Sequence, residues 1–261
     1  MEITNLQNPQ VKSAAELKQK KYRLQQQCFL AEGLRTVEEA VAAKAATSIF
    51  YTAIEDDRTR RVLEQAAAMQ VKLICVTEQI MKKLADTENP QGIIAVCKMQ
   101  ATKLEPLLAA GEMLLVLDRV GDPGNIGTML RTADAAGIGG LVLLKGSADI
   151  YAPKTVRASM GSLFHIPVLA GIEEEKFVER AQRAGYQLLV TSLDGADNLY
   201  KADLSGRLAF VMGNEANGVS ESLLKAADKR VFIPMAGRAE SLNVAMAAGV
   251  VMFEALRRKI K

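Results

Sequence analysis

Met113-Leu-Leu-Val-Leu-Asp-Arg-Val-Gly-Asp-Pro-Gly-Asn-Ile-Gly127 joins an unbroken apolar run to a glycine-bearing turn and then to a helix-forming sequence that continues through Arg131. A continuous apolar run of this kind suits a strand buried on both faces, which is what a parallel sheet requires. Further runs follow downstream at Leu141–Leu144, Gln187–Thr191, Leu208–Met212 and Arg230–Pro234, separated by helical stretches. The expected architecture of this half is therefore an open, mostly parallel α/β sheet. Strand, turn and helix in this order aim main-chain N–H groups at a ligand, with Asn125 placed to cap the helix. Neither Gly-x-Gly-x-x-Gly nor the Lys-Ser/Thr ending of a P-loop is present, which argues against a nucleotide-binding oxidoreductase on a Rossmann sheet. In the helix, Ile126, Leu130 and Ala133 can face a core, while Arg131 lies on another face about one turn from the start. A cation near the positive end of a helix is disfavoured and calls for an anionic partner.

Working outward, Val11 to Tyr22 reads as a helix opened by Pro9, and a second helix follows Gly33 through Arg35, Val37 and Val41. Ser48–Thr52, Val71–Val76 and Gly92–Cys97 read as strands, with helices at Arg58–Met69 and Glu78–Leu84 between them. Residues 1–100 thus form a compact α/β unit. Ala101–Gly111, with Pro106, reads as a linker to a second domain at 112–261. The last helix is expected from Ser241 to Arg258, with Ser241 at its N-cap.

The 261 residues, 49% hydrophobic and 24% charged, describe an ordinary folded protein and exclude disorder and collagen-like repeats. No apolar run approaches the ~20 residues of a membrane span, and the opening Met-Glu-Ile-Thr-Asn5 lacks the order of a signal peptide, so a cytoplasmic location is expected. Cys28, Cys75 and Cys97 are odd in number and sit among apolar neighbours, as reduced buried thiols would. With His165 the single histidine, a conventional zinc site lacks ligands, and metal-free chemistry without imidazole is expected. A net charge of +3 is too small to argue nucleic-acid binding on its own. Local clusters stand at Lys18, Lys20, Lys21 and Arg23, and at Arg257, Arg258, Lys259 and Lys261.

Two further stretches carry chemistry. In Leu208-Ala-Phe-Val-Met-Gly-Asn-Glu215, a buried strand ends at Gly213, where a ligand could approach closely, and Asn214 and Glu215 follow at the strand's carboxyl end. In Ile233-Pro-Met-Ala-Gly-Arg-Ala-Glu-Ser-Leu-Asn-Val-Ala245, a strand runs into a small-residue loop whose free peptide groups can bind an adenine edge. Ser241 and Asn243 stand at the mouth of an otherwise apolar helix.

These three segments, in this order and with Ala152-Pro-Lys-Thr-Val-Arg-Ala-Ser-Met-Gly161 between them, resemble the motifs of the SpoU (TrmH-type) 2′-O-ribose RNA methyltransferases of the SPOUT superfamily, over roughly residues 113–256. Asn8-Pro-Gln-Val-Lys12 and Phe29-Leu-Ala-Glu-Gly-Leu-Arg35 are similar to the small ribosomal-protein-like RNA-binding domain that many members carry. The resemblance implies a trefoil knot in the C-terminal sheet, S-adenosylmethionine as cofactor, and a homodimer whose subunits complete the site. It implies that Gly213, Ile233, Met235 and Leu242 touch the cofactor and that Asn125, Arg131, Glu215, Ser241 and Asn243 line the catalytic pocket. Specificity is expected in residues 1–100, with Lys20, Lys21, Arg23 and Arg35 as candidate phosphate contacts. The substrate implied is RNA, with ribosomal RNA favoured over transfer RNA, and a non-catalytic RNA-binding protein of the same fold is the competing class.

Overall fold

The computed structural model describes residues 2–53, 56–192 and 195–260; Lys261 of the second basic cluster lies outside them. Two compact units emerge, one formed by residues 1–100 together with 149–165 and the other by 101–148 together with 166–261.

The first hundred residues run α1 (Pro9–Glu16), α2 (Lys20–Gln26), β1 (Cys28–Glu32), α3 (Leu34–Ala42), β2 (Ala46–Tyr51), α4 (Asp57–Ala68), β3 (Lys72–Cys75), α5 (Glu78–Leu84) and β4 (Ile93–Lys98). The strands pair in the order β1-β4-β2-β3, with β4 antiparallel to both its neighbours and β2 parallel to β3. The helix expected over Val11–Tyr22 is two helices. Arg23 Nη1 donates to the carbonyls of Leu17 and Lys18 at 2.9 and 2.7 Å, acceptors that a continuous helix would have bonded internally, and Leu17 is buried in the core beside Val11 and Ala14.

The second unit begins with α6 (Leu104–Ala110), which occupies most of the stretch read as a linker; its Leu104, Leu107 and Leu108 are buried in this unit's core. There follow β5 (Met113–Leu117), α7 (Pro123–Ala135) and β6 (Gly140–Leu144), with every residue of β5 and β6 buried. Residues 149–165, carrying α8 (Pro153–Ala158) and a short 3-10 turn at Ser162–Phe164, belong to the first unit. There Arg23 pairs with Asp149 at 2.6 Å, and Phe29 packs on Tyr151 and Phe164. The second unit resumes with β7 (Val168–Ile172), α9 (Glu174–Arg183), β8 (Tyr186–Thr191), β9 (Asp197–Asn198), β10 (Arg207–Met212), α10 (Glu221–Ala226), β11 (Lys229–Phe232) and α11 (Val244–Lys259).

The resulting sheet has the order β7-β6-β5-β10-β8-β11-β9, with every described pairing parallel. Strands β10 and β11 enter late, between strands laid down earlier. Strand order therefore reverses beside β5, and open α/β sheets bind ligands beyond the carboxyl ends of strands at such a point. No described helix is long and apolar enough to cross a membrane.

Helix α11 is closed at its far end by charge. Arg257 and Arg258 both bond Glu254, and Arg258 also donates to the carbonyls of Leu199 and Ala202, while Lys259 pairs with Glu112. The described residues of the second basic cluster are thus committed to intramolecular pairs. Hydrogen bonds from Arg257, and then Arg258, hold the Glu254 carboxyl at about 2 against an ordinary 4.5. The folded chain keeps this group ionised more readily than the unfolded one does. Its contribution is therefore complete above about pH 4.5 and disappears as pH falls towards about 2. Urea unfolding of Glu254→Gln should lose less stability than the parent chain between about pH 5 and about pH 2.5. Equal losses in the two would refute the assignment.

Candidate active site

Three loops meet beyond the carboxyl ends of β5, β10 and β11. After β5, the side chain of Asp118 turns inward, 2% exposed, and its Oδ2 accepts the main-chain N–H of Ser220 at 2.8 Å. Asp122, not Asn125, caps α7 by accepting the N–H of Asn125 at 3.2 Å, with Pro123 in the first turn. With the cap supplied by Asp122, the Asn125 amide is released for other work. Ile126, Leu130 and Ala133 are buried as the pattern required, and Arg131 is exposed.

After β10 the chain folds back on itself through Gly213–Gly218, with an isolated bridge between Asn214 and Gly218. A Cβ on Gly213 would lie 2.3 Å from the Gly218 carbonyl carbon and 2.3 Å from the Val219 nitrogen. The glycine is therefore demanded by the loop's own backbone, where the sequence suggested room for a ligand. Asn214 secures this loop twice: its Oδ1 accepts the N–H groups of Ala216 and Asn217, and its Nδ2 donates to the Arg119 carbonyl at 2.8 Å. Glu215 receives the Asn125 Nδ2 at 2.9 Å and the Gly121 N–H at 3.2 Å. Burial pushes its carboxyl up, but hydrogen bonds from Asn125 and from the main-chain N–H groups of Glu215, Gly121 and Asp122 outweigh it and hold the group below the usual carboxylate range.

The third loop corrects the cap of α11. Asn243, not Ser241, is the N-cap, its Oδ1 accepting from Ala245 at 2.9 Å and from Met246 at 3.4 Å. This fixes the polarity of everything joined to it. With Oδ1 committed to the helix, Nδ2 of Asn243 donates to Asn125 Oδ1 at 3.0 Å, so Nδ2 of Asn125 must donate to Glu215, which accepts as a carboxylate. The three residues form one directed chain running from a helix N-terminus to an anion.

A cavity of about 690 Å³ opens beside this chain, within the usual size range for small-ligand pockets. All four residues expected to touch a cofactor line it, Gly213, Ile233, Met235 and Leu242, and so do Glu215, Ser241 and Asn243. Asn125 reaches the cavity through its bonds to Glu215 and Asn243, and Arg131 is not on its wall. Thr191 and Ser192 add to the polar lining, and the sequence alone did not single them out; Asn214, named there beside Glu215, lines the cavity too. The clue for Asn214 was its place directly after Gly213. In the first unit Lys20, Lys21 and Arg35 are exposed, but Arg23 is 3% exposed and consumed by Asp149 and two carbonyls. As a phosphate contact Arg23 is withdrawn. Cys97 is buried with its thiol pushed up, Cys28 and Cys75 are half-buried, and all three are free.

Residues 112–253 match the family model described as the SpoU rRNA Methylase family, and residues 8–95 match the one described as the MRM3-like substrate binding domain. The chain is 36% identical over 252 residues, 97% of this chain and 98% of that protein, to the 23S rRNA (guanosine(2553)-2′-O)-methyltransferase RlmP of Bacillus subtilis (strain 168). It superposes on the crystal structure of AdoMet-bound rRNA methyltransferase from Sinorhizobium meliloti with a TM-score of 0.89 at 36% identity, covering 100% of this chain and 99% of that one. For the SpoU methyltransferase AviRb from Streptomyces viridochromogenes in complex with the cofactor AdoMet, the TM-score is 0.88 at 30% identity, covering 98% and 99%.

Proposed function

Because this chain belongs to the SpoU rRNA methylase family, we propose that it transfers a methyl group from S-adenosylmethionine to a ribose 2′-hydroxyl of ribosomal RNA. The observation that carries the reading is the directed chain Asn243–Asn125–Glu215 at the edge of a cavity able to hold the cofactor. That cavity fits the group on its donor set. Gly213, Ile233 and Leu242 bring backbone and apolar surface to the lining, residues 233–243 lie outside helix and strand, and the Glu215 carboxylate on the same lining would supply a negative charge for a sulfonium. The late entry of β10 and β11 into the sheet supports taking the loops around 213–243 as the trefoil knot.

Bound there, S-adenosylmethionine would supply an electrophilic methyl group, which leaves the protein to align a hydroxyl, strip it of water and ease the loss of its proton. Glu215, held ionised and aimed by Asn125, orients the ribose edge. The planar cationic fork of a guanidinium suits Arg131 to hold the neighbouring phosphate or the developing alkoxide. The site is completed by a second copy of the chain. What supports this is that Arg131 is absent from the wall of its own subunit's cavity, while α11 exposes Met246 at 62% and Phe253 at 45%, seven residues apart on one face.

In this reading residues 1–100 hold the RNA, the chemistry lies in 112–261, and the protein works in the cytoplasm. Exposed Lys20, Lys21 and Arg35 are the phosphate contacts. Changing Lys20 and Lys21 to Gln should weaken RNA binding and lower its dependence on log salt by about one unit for each phosphate no longer neutralised. An unchanged slope would remove them from the interface. The functional reading as a whole is tested by incubating the protein with tritiated-methyl S-adenosylmethionine and RNA from cells lacking the enzyme, and mapping label by 2′-O-methyl-sensitive alkaline cleavage. Label at one ribose of ribosomal RNA is the expected result; label on transfer RNA, or none despite cofactor binding, would overturn it.

A further inference from the structure

Arg119 stands off the cavity wall, yet it occupies an uncommon conformation two residues before the Gly121 N–H that holds Glu215. Its φ is +52°, a region that L side chains enter at a cost and that glycine enters freely. Strain of this kind persists where the surroundings impose it, and here they do. The Arg119 carbonyl is held by Asn214, its side-chain stem lies against Gly146, and its guanidinium pairs with Asp118 through Nε at 2.8 Å and Nη2 at 2.9 Å.

The pairing is asymmetric. Asp118 is 2% exposed and also accepts from Ser220, whereas the Arg119 side chain is 43% exposed. A guanidinium carries five N–H donors in a fixed plane. Asp118 takes two of them, one on Nε and one on Nη2, which leaves the N–H groups of Nη1 and the second one of Nη2 with no hydrogen-bond partner among the described residues, on a side chain that is 43% exposed. Glu174, the other carboxylate whose charge reaches Arg119, accepts from the Ser220 hydroxyl at 2.9 Å. The arrangement is a buried carboxylate steering an exposed planar cation, a geometry suited to a phosphodiester, whose oxygens a guanidinium edge can meet in pairs.

We infer that Arg119 binds a backbone phosphate of the RNA beside the ribose being methylated, using the guanidinium edge that Asp118 leaves free. The inference rests on the RNA methyl-transfer reading and adds a contact in the second unit, where the cavity lies. The competing explanation is that Arg119 only neutralises Asp118. Two variants separate these roles: Arg119→Gly, which also relieves the backbone, and the double change Asp118→Asn with Arg119→Gly, which leaves no buried charge unpaired.

The measurement is filter binding of deproteinised large-subunit ribosomal RNA at several salt concentrations, with S-adenosylmethionine affinity followed by calorimetry. Both variants should bind the RNA about tenfold more weakly with a shallower salt dependence, and bind the cofactor within about twofold of the parent chain. Three outcomes would overturn the inference: RNA affinity of Arg119→Gly equal to the parent's, recovery of that affinity in the double variant, or a parallel loss of cofactor affinity in both. Should the parent chain itself fail to bind the RNA, the failure lies with the broader functional reading.

Discussion

Replacing Gly213 by alanine should cost about 3 kcal/mol of stability and lower S-adenosylmethionine affinity more than tenfold. The methyl group would stand 2.3 Å from two backbone atoms of Gly218 and Val219, neither of which can rotate aside as a side-chain tip would. Relief requires the turn to open, and opening it displaces Asn214 from the Arg119 carbonyl and Glu215 from Asn125. The control is Gly121→Ala in the neighbouring loop, where an added Cβ would meet nothing nearer than Glu215 Oε2 at 4.0 Å. Unfolding midpoints and calorimetric affinities for the two variants should therefore diverge sharply. Similar behaviour of both would show that the turn tolerates displacement and that the carboxylate does not depend on it.

The second large effect concerns Arg131. Its side chain is exposed, so stability should change little on substitution, whereas Arg131→Ala should lower the rate of methyl transfer by about a thousandfold. Arg131→Lys discriminates between roles. A lysine keeps the charge but loses the planar fork, so an arginine that grips an oxygen pair should not be rescued, and about a hundredfold loss should remain. Single-turnover rates at saturating RNA separate the chemical step from binding. Near-parent rates for Arg131→Lys at neutral pH would sink the idea that the guanidinium grips an oxygen pair.

Much of the second unit is legible in the sequence because its strands announce themselves. β5 and β6 throughout, and β10 from Leu208 onward, are buried on both faces, so these stretches are unbroken apolar runs that no surface element would show. β7 escapes for the converse reason: it lies at the sheet edge, is only partly buried, and carries Gly171. β1 is hard to see because its five residues give way after one glycine to α3, leaving little room for a strand pattern to develop. The caps show a different limit. Ser241 and Asn243 are equally acceptable first residues for a helix, and the choice falls to Asn243, whose amide has a second partner, Asn125, 118 positions earlier in the chain. Arg23 makes the same point among four neighbouring cations. It alone is buried, and what draws it inward is Asp149, 126 residues away, which local sequence cannot announce.

That pair also bears on how the molecule could be taken apart. Arg23 and Asp149, with Phe29 against Tyr151 and Phe164, make residues 149–165 a structural component of the first unit although they are encoded within the second. A gene fragment cut at Gln100 would omit the partners of a buried guanidinium and a core phenylalanine. Moving the first unit of this chain into another protein must therefore carry two separate cassettes, and recombination with a single crossover near residue 100 would part Arg23 from Asp149.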